Sequence, residues 1–297
     1  MDKIGFIGYG NIGKMVINNI LEFNIFDSHE IIISNRTISK LDELKEDYPS
    51  ITITDDNKYL AKNSNKIFVF VETPQFKEII NEIFLAIGEN THIVHVCAGL
   101  SFDNISKIYK GSISQVIPSI ASSFNEKYNF EKLGVTLISH NKNTSNENKE
   151  FVEKIFNRFS YIEIMGDFTV VEFENRLSSA NSLEIATILA SCGPAFVSLM
   201  IDKLADVVNL KSENNWGRDK SKEIIIKTLL GTLIQIDTKN LTTNEIITGT
   251  ATKKGITEIG LNYLGDNFDE LANGIFDILL KRYDEVKEDL DKEYSEF

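Results

Sequence analysis

Cysteine is nearly missing from this 297-residue chain, with Cys97 and Cys192 its only two. A disulfide framework and a cysteine-rich metal site are therefore not expected. Basic charge is short as well. Lys and Arg number 31 against 44 Asp and Glu, a net charge of −13, which makes nucleic acid and anionic membranes poor partners. A long hydrophobic run is lacking: Ile185 to Ile201 is uncharged but falls short of a membrane span and contains Gly193-Pro194. A buried helix in an oligomer core is the better expectation for it. An apolar strand begins at residue 3 and leaves no room for a secretory signal, so a cytoplasmic protein is expected. Internal repeats are absent, and low complexity is confined to the Asn/Lys/Ser-rich stretch Asn141 to Lys149. What remains, 42% hydrophobic and 25% charged residues, fits a soluble globular chain of one large or two moderate domains.

The most informative segment is the first. Lys3 to Gly8 reads as a buried strand and runs into Gly8-Tyr9-Gly10-Asn11-Ile12-Gly13, after which Lys14 to Phe23 has helical apolar spacing. Strand, G-x-G-x-x-G turn and helix in that order form the dinucleotide-binding fingerprint. Gly8 permits the tight turn, Gly10 lets backbone approach a pyrophosphate, and Gly13 lets helix pack on strand. The free N–H groups at the helix start, at Asn11 and Ile12, face the phosphates. The next strand, Glu30 to Ser34, ends in Asn35-Arg36-Thr37. An acid there would hold the ribose 2′-hydroxyl of NAD; an amide, a guanidinium and a hydroxyl suit a 2′-phosphate. NADP is expected over NAD, which is not excluded.

Apolar β-branched runs continue at Ile51 to Thr54, Lys66 to Val71, Thr91 to Cys97, Ser114 to Ile117, Gly134 to Ser139 and Tyr161 to Met165. Helical patterns at Phe76 to Ile87 and Glu147 to Phe159 lie between them. This alternation implies an α/β, Rossmann-type, doubly wound and mainly parallel sheet over residues 1–166. From Gly166 strand signals stop. Helices are expected at Val170 to Leu189, Ala195 to Val208, Asp219 to Ile236, Gly255 to Leu264 and Phe268 to Asp291, making 167–297 an all-helical domain. The acidic end, Tyr283 to Phe297, reads as a solvated helix end or tail.

Two pieces stand out in the helical half: Ser191-Cys192-Gly193-Pro194-Ala195-Phe196, and Thr250 to Thr257 followed by Gly260-Leu261. With the N-terminal fingerprint, Asn35-Arg36-Thr37, Asp56-Asn57-Lys58, Pro74-Gln75, Ala98-Gly99 and Ile117-Pro118, their shared order resembles the pyrroline-5-carboxylate reductase family, over nearly the whole chain. The resemblance implies NADPH-dependent reduction of 1-pyrroline-5-carboxylate, a cyclic imine, to proline. It places cofactor contacts on Gly8, Gly10, Asn11, Ile12 and Gly13, with Asn35, Arg36, Thr37 and Asn57 around the adenosine ribose phosphate. Thr73 and Pro74 would flank the nicotinamide, opposite Cys97, Ala98 and Gly99. The family's substrate loop falls on Thr252, Lys253, Lys254, Gly255, Ile256 and Thr257. Thr257 would hydrogen-bond the pyrroline nitrogen, and the loop amides would take the substrate carboxylate. The helical domain would interlock two subunits, with the pocket between one chain's nucleotide domain and its partner's helical domain.

Hydride transfer to a C=N carbon needs little further machinery, because the cofactor carries the reaction. That agrees with the scatter of His29, His92, His95 and His140, which are read as structural; His95, beside the cofactor cleft, is the most open to another role. No metal is expected. The chain departs from the family at Thr73, Ile117, Ser119, Gln115 and Cys192, and Lys253-Lys254 replaces a Pro-Gly pair. Losing that glycine implies a changed loop backbone. The same departures resemble the divergent branch of the late competence protein ComER. Three readings result: the reductase; a non-catalytic or regulatory NADP-binding paralogue, or a reductase of another cyclic imine; and a β-hydroxyacid dehydrogenase. The last would need an Asn four residues after its catalytic lysine, and Lys203 is followed by Asp206 and Val207 instead.

Overall fold

The computed structural model describes residues 3–123, 132–165, 182–213, 215–239 and 241–295. The chain folds as two compact units, Met1–Cys192 with Leu280–Phe297, and Gly193–Leu279.

In the first unit the apolar runs become β1 (Lys3–Ile7), β2 (Ile31–Ser34), β3 (Thr52–Thr54), β4 (Ser64–Val69), β5 (His92–His95), β6 (Ser112–Pro118), β7 (Val135–His140) and β8 (Tyr161–Ile164). They form one sheet in the order β3-β2-β1-β4-β5-β6-β7-β8. All neighbours are parallel except β6 and β7, which pair antiparallel with Val116 opposite Ile138. The order reverses between β1 and β4, so the carboxyl ends of these two strands form the crevice where ligands of doubly wound sheets bind. Ile31, Ile32 and Ile33 are all buried, because a parallel sheet is covered on both faces.

Helices α1 (Asn11–Glu22), α2 (Asp42–Asp47), α3 (Asn57–Lys62), α4 (Thr73–Ile83), α5 (Phe102–Ser106) and α6 (Asn146–Phe156) supply the cover, joined by α7 (Ser182–Thr187). Alternation along β4 splits the core. Phe68 and Phe70 face a cluster with Phe6, Val16, Ile20 and Phe156, whereas Ile67 and Val69 face one with Phe76, Ile80 and Ile93.

Helix α7 runs into a wide π-type turn, Ile188–Cys192, and then into α8 (Gly193–Lys211). The turn directly precedes Pro194, whose ring and missing N–H a regular α-turn does not accommodate. Helices α9 (Arg218–Lys239) and α10 (Thr243–Thr250) follow, then α11 (Ile256–Ser295). In the second unit α8 packs on α9. Arg218 bridges Asp206 at 2.5 Å and Asp202 at 3.3 Å, and Lys222 reaches Asp202 at 2.6 Å. Helix α10 is closed by a Thr242–Glu245 capping box.

Three expectations change. The helices expected at Gly255 to Leu264 and Phe268 to Asp291 are one helix: Gly265 weakens it without ending it. The acidic end is a helix end, as expected, but one of its faces is not solvated: Val286, Leu290 and Tyr294 pack into the second core cluster, with Tyr294 0% exposed. The apolar stretch near Ile185 is longer than expected. Helix continuity extends it to Ser182–Lys211, which holds an 18-residue window of mean hydropathy 1.7 and by length and composition alone could cross a membrane. The expected domain boundary at residue 166 and the start of the helix at Val170 lie outside the described residues.

Candidate active site

The turn after β1 is built around its glycines. Gly8 sits at φ 99°, where a side chain is strained, and donates its N–H to the Ser34 carbonyl at 2.8 Å. A Cβ on Gly8 would lie 2.3 Å from the Phe70 carbonyl oxygen, and one on Gly13 would lie 2.4 Å from that of Gly8. Gly10 differs: a Cβ there would meet nothing within 4 Å among the described residues. None of those residues requires Gly10 to be bare, which leaves room above it for a ligand. Gly10 is the N-cap of α1 and provides no side-chain cap, and the first turn carries no acid. The amides at Asn11, Ile12 and Gly13 therefore present the positive end of a twelve-residue helix, a setting for a phosphate. A cleft of about 720 Å³ opens beside this turn, lined by Asn11, Ile12, Met15, Asn19, Ile120 and Ser123.

At the end of β2, Asn35 is a brace. Its Oδ1 accepts from the Tyr9 N–H at 3.0 Å and its Nδ2 donates to the Thr37 carbonyl at 2.7 Å. This holds the glycine turn and the Asn35–Thr37 turn together and leaves Arg36 and Thr37 exposed beyond them. Asn57 is fixed at both ends of its amide: Oδ1 accepts from Ser34 at 2.6 Å and Nδ2 donates to Glu82 at 2.8 Å. The neighbouring acid, Asp56, caps α3 by accepting from the amides of Lys58 and Tyr59. Sequence reasoning missed Glu82, because a contact 25 residues away carries no local signal.

Beyond β4 and β5 a second wall forms. Thr73 and Pro74 start α4, and the Thr73 hydroxyl donates to the Ala98 carbonyl at 3.3 Å. Gln115, a departure from the family, donates to the Cys97 carbonyl at 2.7 Å. Gly99 closes the wall at φ 79°. Burial pushes the Cys97 thiol up to about 12, so it is no nucleophile at neutral pH. Burial likewise pushes His95 down to about 3. Its Nδ1 accepts from the Cys97 N–H, and its ring lies 5.0 Å from Phe76. A neutral, enclosed imidazole of this kind supports the wall and does not exchange protons with a substrate.

His92, Ser114, His140 and Glu153 form a chain with steps of 2.8, 2.6 and 3.3 Å. The residue types resemble a hydrolytic triad. Ser114 is 0% exposed within β6, however, and His92 is held near 3 by burial first and by Lys66 and His140 after it. This chain ties β5, β6 and β7 together.

In the second unit, Thr252 to Gly255 form a turn closed by the Gly255 N–H on the Thr252 carbonyl at 2.8 Å. A Cβ on Gly255 would lie 2.2 Å from the Thr252 hydroxyl oxygen. Lys254 takes φ 60°, the left-handed conformation that a glycine adopts without cost. The lysine holds that conformation at the cost of some strain. Its N–H donates to Glu258 Oε2 at 2.5 Å, while Ile256 and Thr257 stand exposed at the start of α11. The glycine turn, the Asn35–Thr37 turn and Asn57 meet at one end of the sheet, and Thr73 meets Ala98. The Thr252–Thr257 loop belongs to the other unit.

Residues 3–99 match the family described as NADP oxidoreductase coenzyme F420-dependent, and residues 180–286 match pyrroline-5-carboxylate reductase dimerisation. The chain is 37% identical over 263 residues to the pyrroline-5-carboxylate reductase of Methanobrevibacter smithii, spanning 88% of this chain and 96% of the relative. It is 23% identical to ComE operon protein 4 of Bacillus subtilis over 95% and 96% of the two chains. The crystal structure of Plasmodium falciparum pyrroline carboxylate reductase with NADP bound shares the fold, at TM-score 0.74 and 20% identity over 96% of this chain and 97% of that one.

Proposed function

The chain belongs to the pyrroline-5-carboxylate reductase family, and from that premise we propose that it reduces 1-pyrroline-5-carboxylate to L-proline. It is an oxidoreductase of NADP(H). The observation that carries the reading is the glycine turn: open space over Gly10 next to the uncapped amides of α1, a fit for a pyrophosphate.

Gly8, Gly10, Asn11, Ile12 and Gly13 would hold the pyrophosphate. Arg36 and Thr37 would hold the 2′-phosphate, on a turn set by Asn35 and beside an Asn57 locked by Ser34 and Glu82. Thr73, Pro74, Cys97, Ala98 and Gly99 would wall the nicotinamide. When bound, NADPH supplies a hydride to the imine carbon. The residues of the chain do the rest. The Thr257 hydroxyl hydrogen-bonds the ring nitrogen, which carries the proton that makes the carbon electrophilic and keeps it as the amine of the product. Amides at the start of α11, just after the Thr252–Gly255 turn, take the ring carboxylate, with Lys253 and Lys254 drawing it in. A cyclic imine without that carboxylate would lose these contacts.

The second unit would join a second copy of the chain. Val197, Met200, Leu204 and Val207 on α8, Ile226, Leu229 and Leu233 on α9, and Leu264, Phe268 and Leu271 on α11 all stand in solvent at helical spacing. Apolar stripes on three helices suit a shared helical core better than one helix crossing a membrane.

The test is NADPH oxidation with pyrroline-5-carboxylate, beside Thr257→Ala. Turnover to proline that falls at least about tenfold in the variant supports the reductase. NADPH binding without turnover supports the regulatory reading. Two observations favour that alternative: Glu258 already occupies the Lys254 amide, and ComE operon protein 4 is among the relatives.

A further inference from the structure

The end of α11, from Leu280, belongs to the first unit, where its contacts share one target. Gly99 is bare, and the place its Cβ would take lies 3.3 Å from Val286 Cγ1 and 3.8 Å from Tyr283 Cδ1. Asn104 of α5, just after that turn, donates to Asp291 at 2.7 Å. Lys77 of α4, one turn after Thr73 and Pro74, donates to the Glu293 carbonyl at 2.5 Å and lies 5.2 Å over the Tyr294 ring. Leu290 and Tyr294 are buried in the same core cluster as Phe76 and Cys97. Lys287 pairs with the buried Glu184 of α7 at 2.6 Å. The helix end thus holds α4 and the Ala98–Gly99 turn, the two pieces that make the second wall, together with α5 just beyond them. The match to the dimerisation family stops at residue 286, whereas Leu290, Asp291, Glu293 and Tyr294 lie past it.

We propose that residues 286–294 of α11 are a positioning element for the nicotinamide half of the cofactor, setting the spacing between Thr73 and the Ala98–Gly99 turn. The inference rests on the assignment of that wall to the nicotinamide. Burial of an anchor transmits position, because packed side chains resist small shifts. Val286 acts on the turn directly, while Tyr294 acts through Lys77 and α4.

The test uses the full-length chain and two probes: NADPH, and adenosine 2′,5′-bisphosphate, which lacks the nicotinamide half. Binding of each is titrated to Tyr294→Ala, to Val286→Ala, which is too small a change to unfold the chain, and to Ala98→Phe, which fills the wall itself. Ala98→Phe is expected to weaken NADPH alone. Both α11 variants are expected to weaken NADPH about five- to tenfold and to leave the bisphosphate within about twofold. If Ala98→Phe acts on NADPH but neither α11 variant does, the positioning role is overturned while the wall stands. An Ala98→Phe chain that binds NADPH normally overturns the wall assignment, and this inference with it. Equal loss of both probes in both α11 variants means a general effect on the fold, and also overturns it.

Discussion

The two units bury their apolar residues to opposite degrees. In the first, Phe6, Phe68, Phe76 and Phe156 are 0% exposed on the two faces of one sheet. In the second, Ala205 and Ser221 are the buried residues among those described, while Leu204, Leu233 and Leu271 are 52%, 60% and 59% exposed. The first unit is a finished core. The second has the composition of a core without the enclosure, which explains why it carries the match to a dimerisation family.

The largest way to break that contrast is Leu204→Asp. A charge in the middle of the α8 stripe is expected to leave the chain monomeric by light scattering and to cut activity at least about 100-fold. Phe68→Ala is the matching change in the first unit. It should cost about 3–5 kcal/mol by chemical denaturation, with no dependence on protein concentration, while unfolding of the second unit should depend on it.

Next come two glycines of one turn. Gly8→Ala places a methyl against the Phe70 carbonyl at a left-handed φ, and should destabilise the chain by a few kcal/mol, about 2–4, whether or not cofactor is present. Gly10→Ala meets no atom of the described residues, so its melting temperature should stay unchanged while NADPH binding weakens about tenfold or more. If Gly10→Ala binds NADPH normally, the open space above it is not the pyrophosphate site.

Acid should separate the units more gently. All four histidines lie in the first unit. Burial holds His92 and His95 near 3, below the usual 6.5, so the unfolded chain binds more protons between those values. Stability therefore rises with pH across that window and is lost on going down through it. The sheet unit should loosen progressively from about pH 6 downward, seen as loss of amide exchange protection in β5 and β6, in addition to any carboxylate effects common to both units.

How much of this was legible in the sequence follows the range of the interactions. The strand, glycine turn and helix at residues 3–22 were readable because each role is fixed by neighbours in sequence. The parallel sheet was readable from its β-branched runs. The return of α11 departs from the sequence expectation for two reasons. Gly265 falls between the two expected helical patterns, although an internal glycine only weakens a helix. The acidic charge of residues 283–297 also hid an apolar stripe at Val286, Leu290 and Tyr294, spaced four apart, which was there to be found. The braces on Asn57 and Cys97 come from Glu82 and Gln115, and the buried chain from His92 to Glu153 spans 61 positions. Partners of that kind are set by topology, which no local pattern encodes.

The smallest expected effect tests why Lys254 is a lysine. Held at φ 60°, it costs about 1 kcal/mol relative to glycine, offset in part by the greater freedom glycine has when unfolded. Lys254→Gly should therefore raise thermal stability slightly, by no more than about 1 kcal/mol. If the position matters only for backbone shape, KM for pyrroline-5-carboxylate should hold or fall. If the ammonium is kept to draw in the ring carboxylate, KM should rise about two- to fivefold despite the relieved strain, and the rise should shrink at high salt. Glu258 bears on the same amide, so Glu258→Gln gives the complementary reading. With the competing negative charge removed, KM should move the other way. Opposite shifts in the two variants would mean that this exposed turn is tuned by charge, whereas the glycine turn of the first unit is tuned by shape.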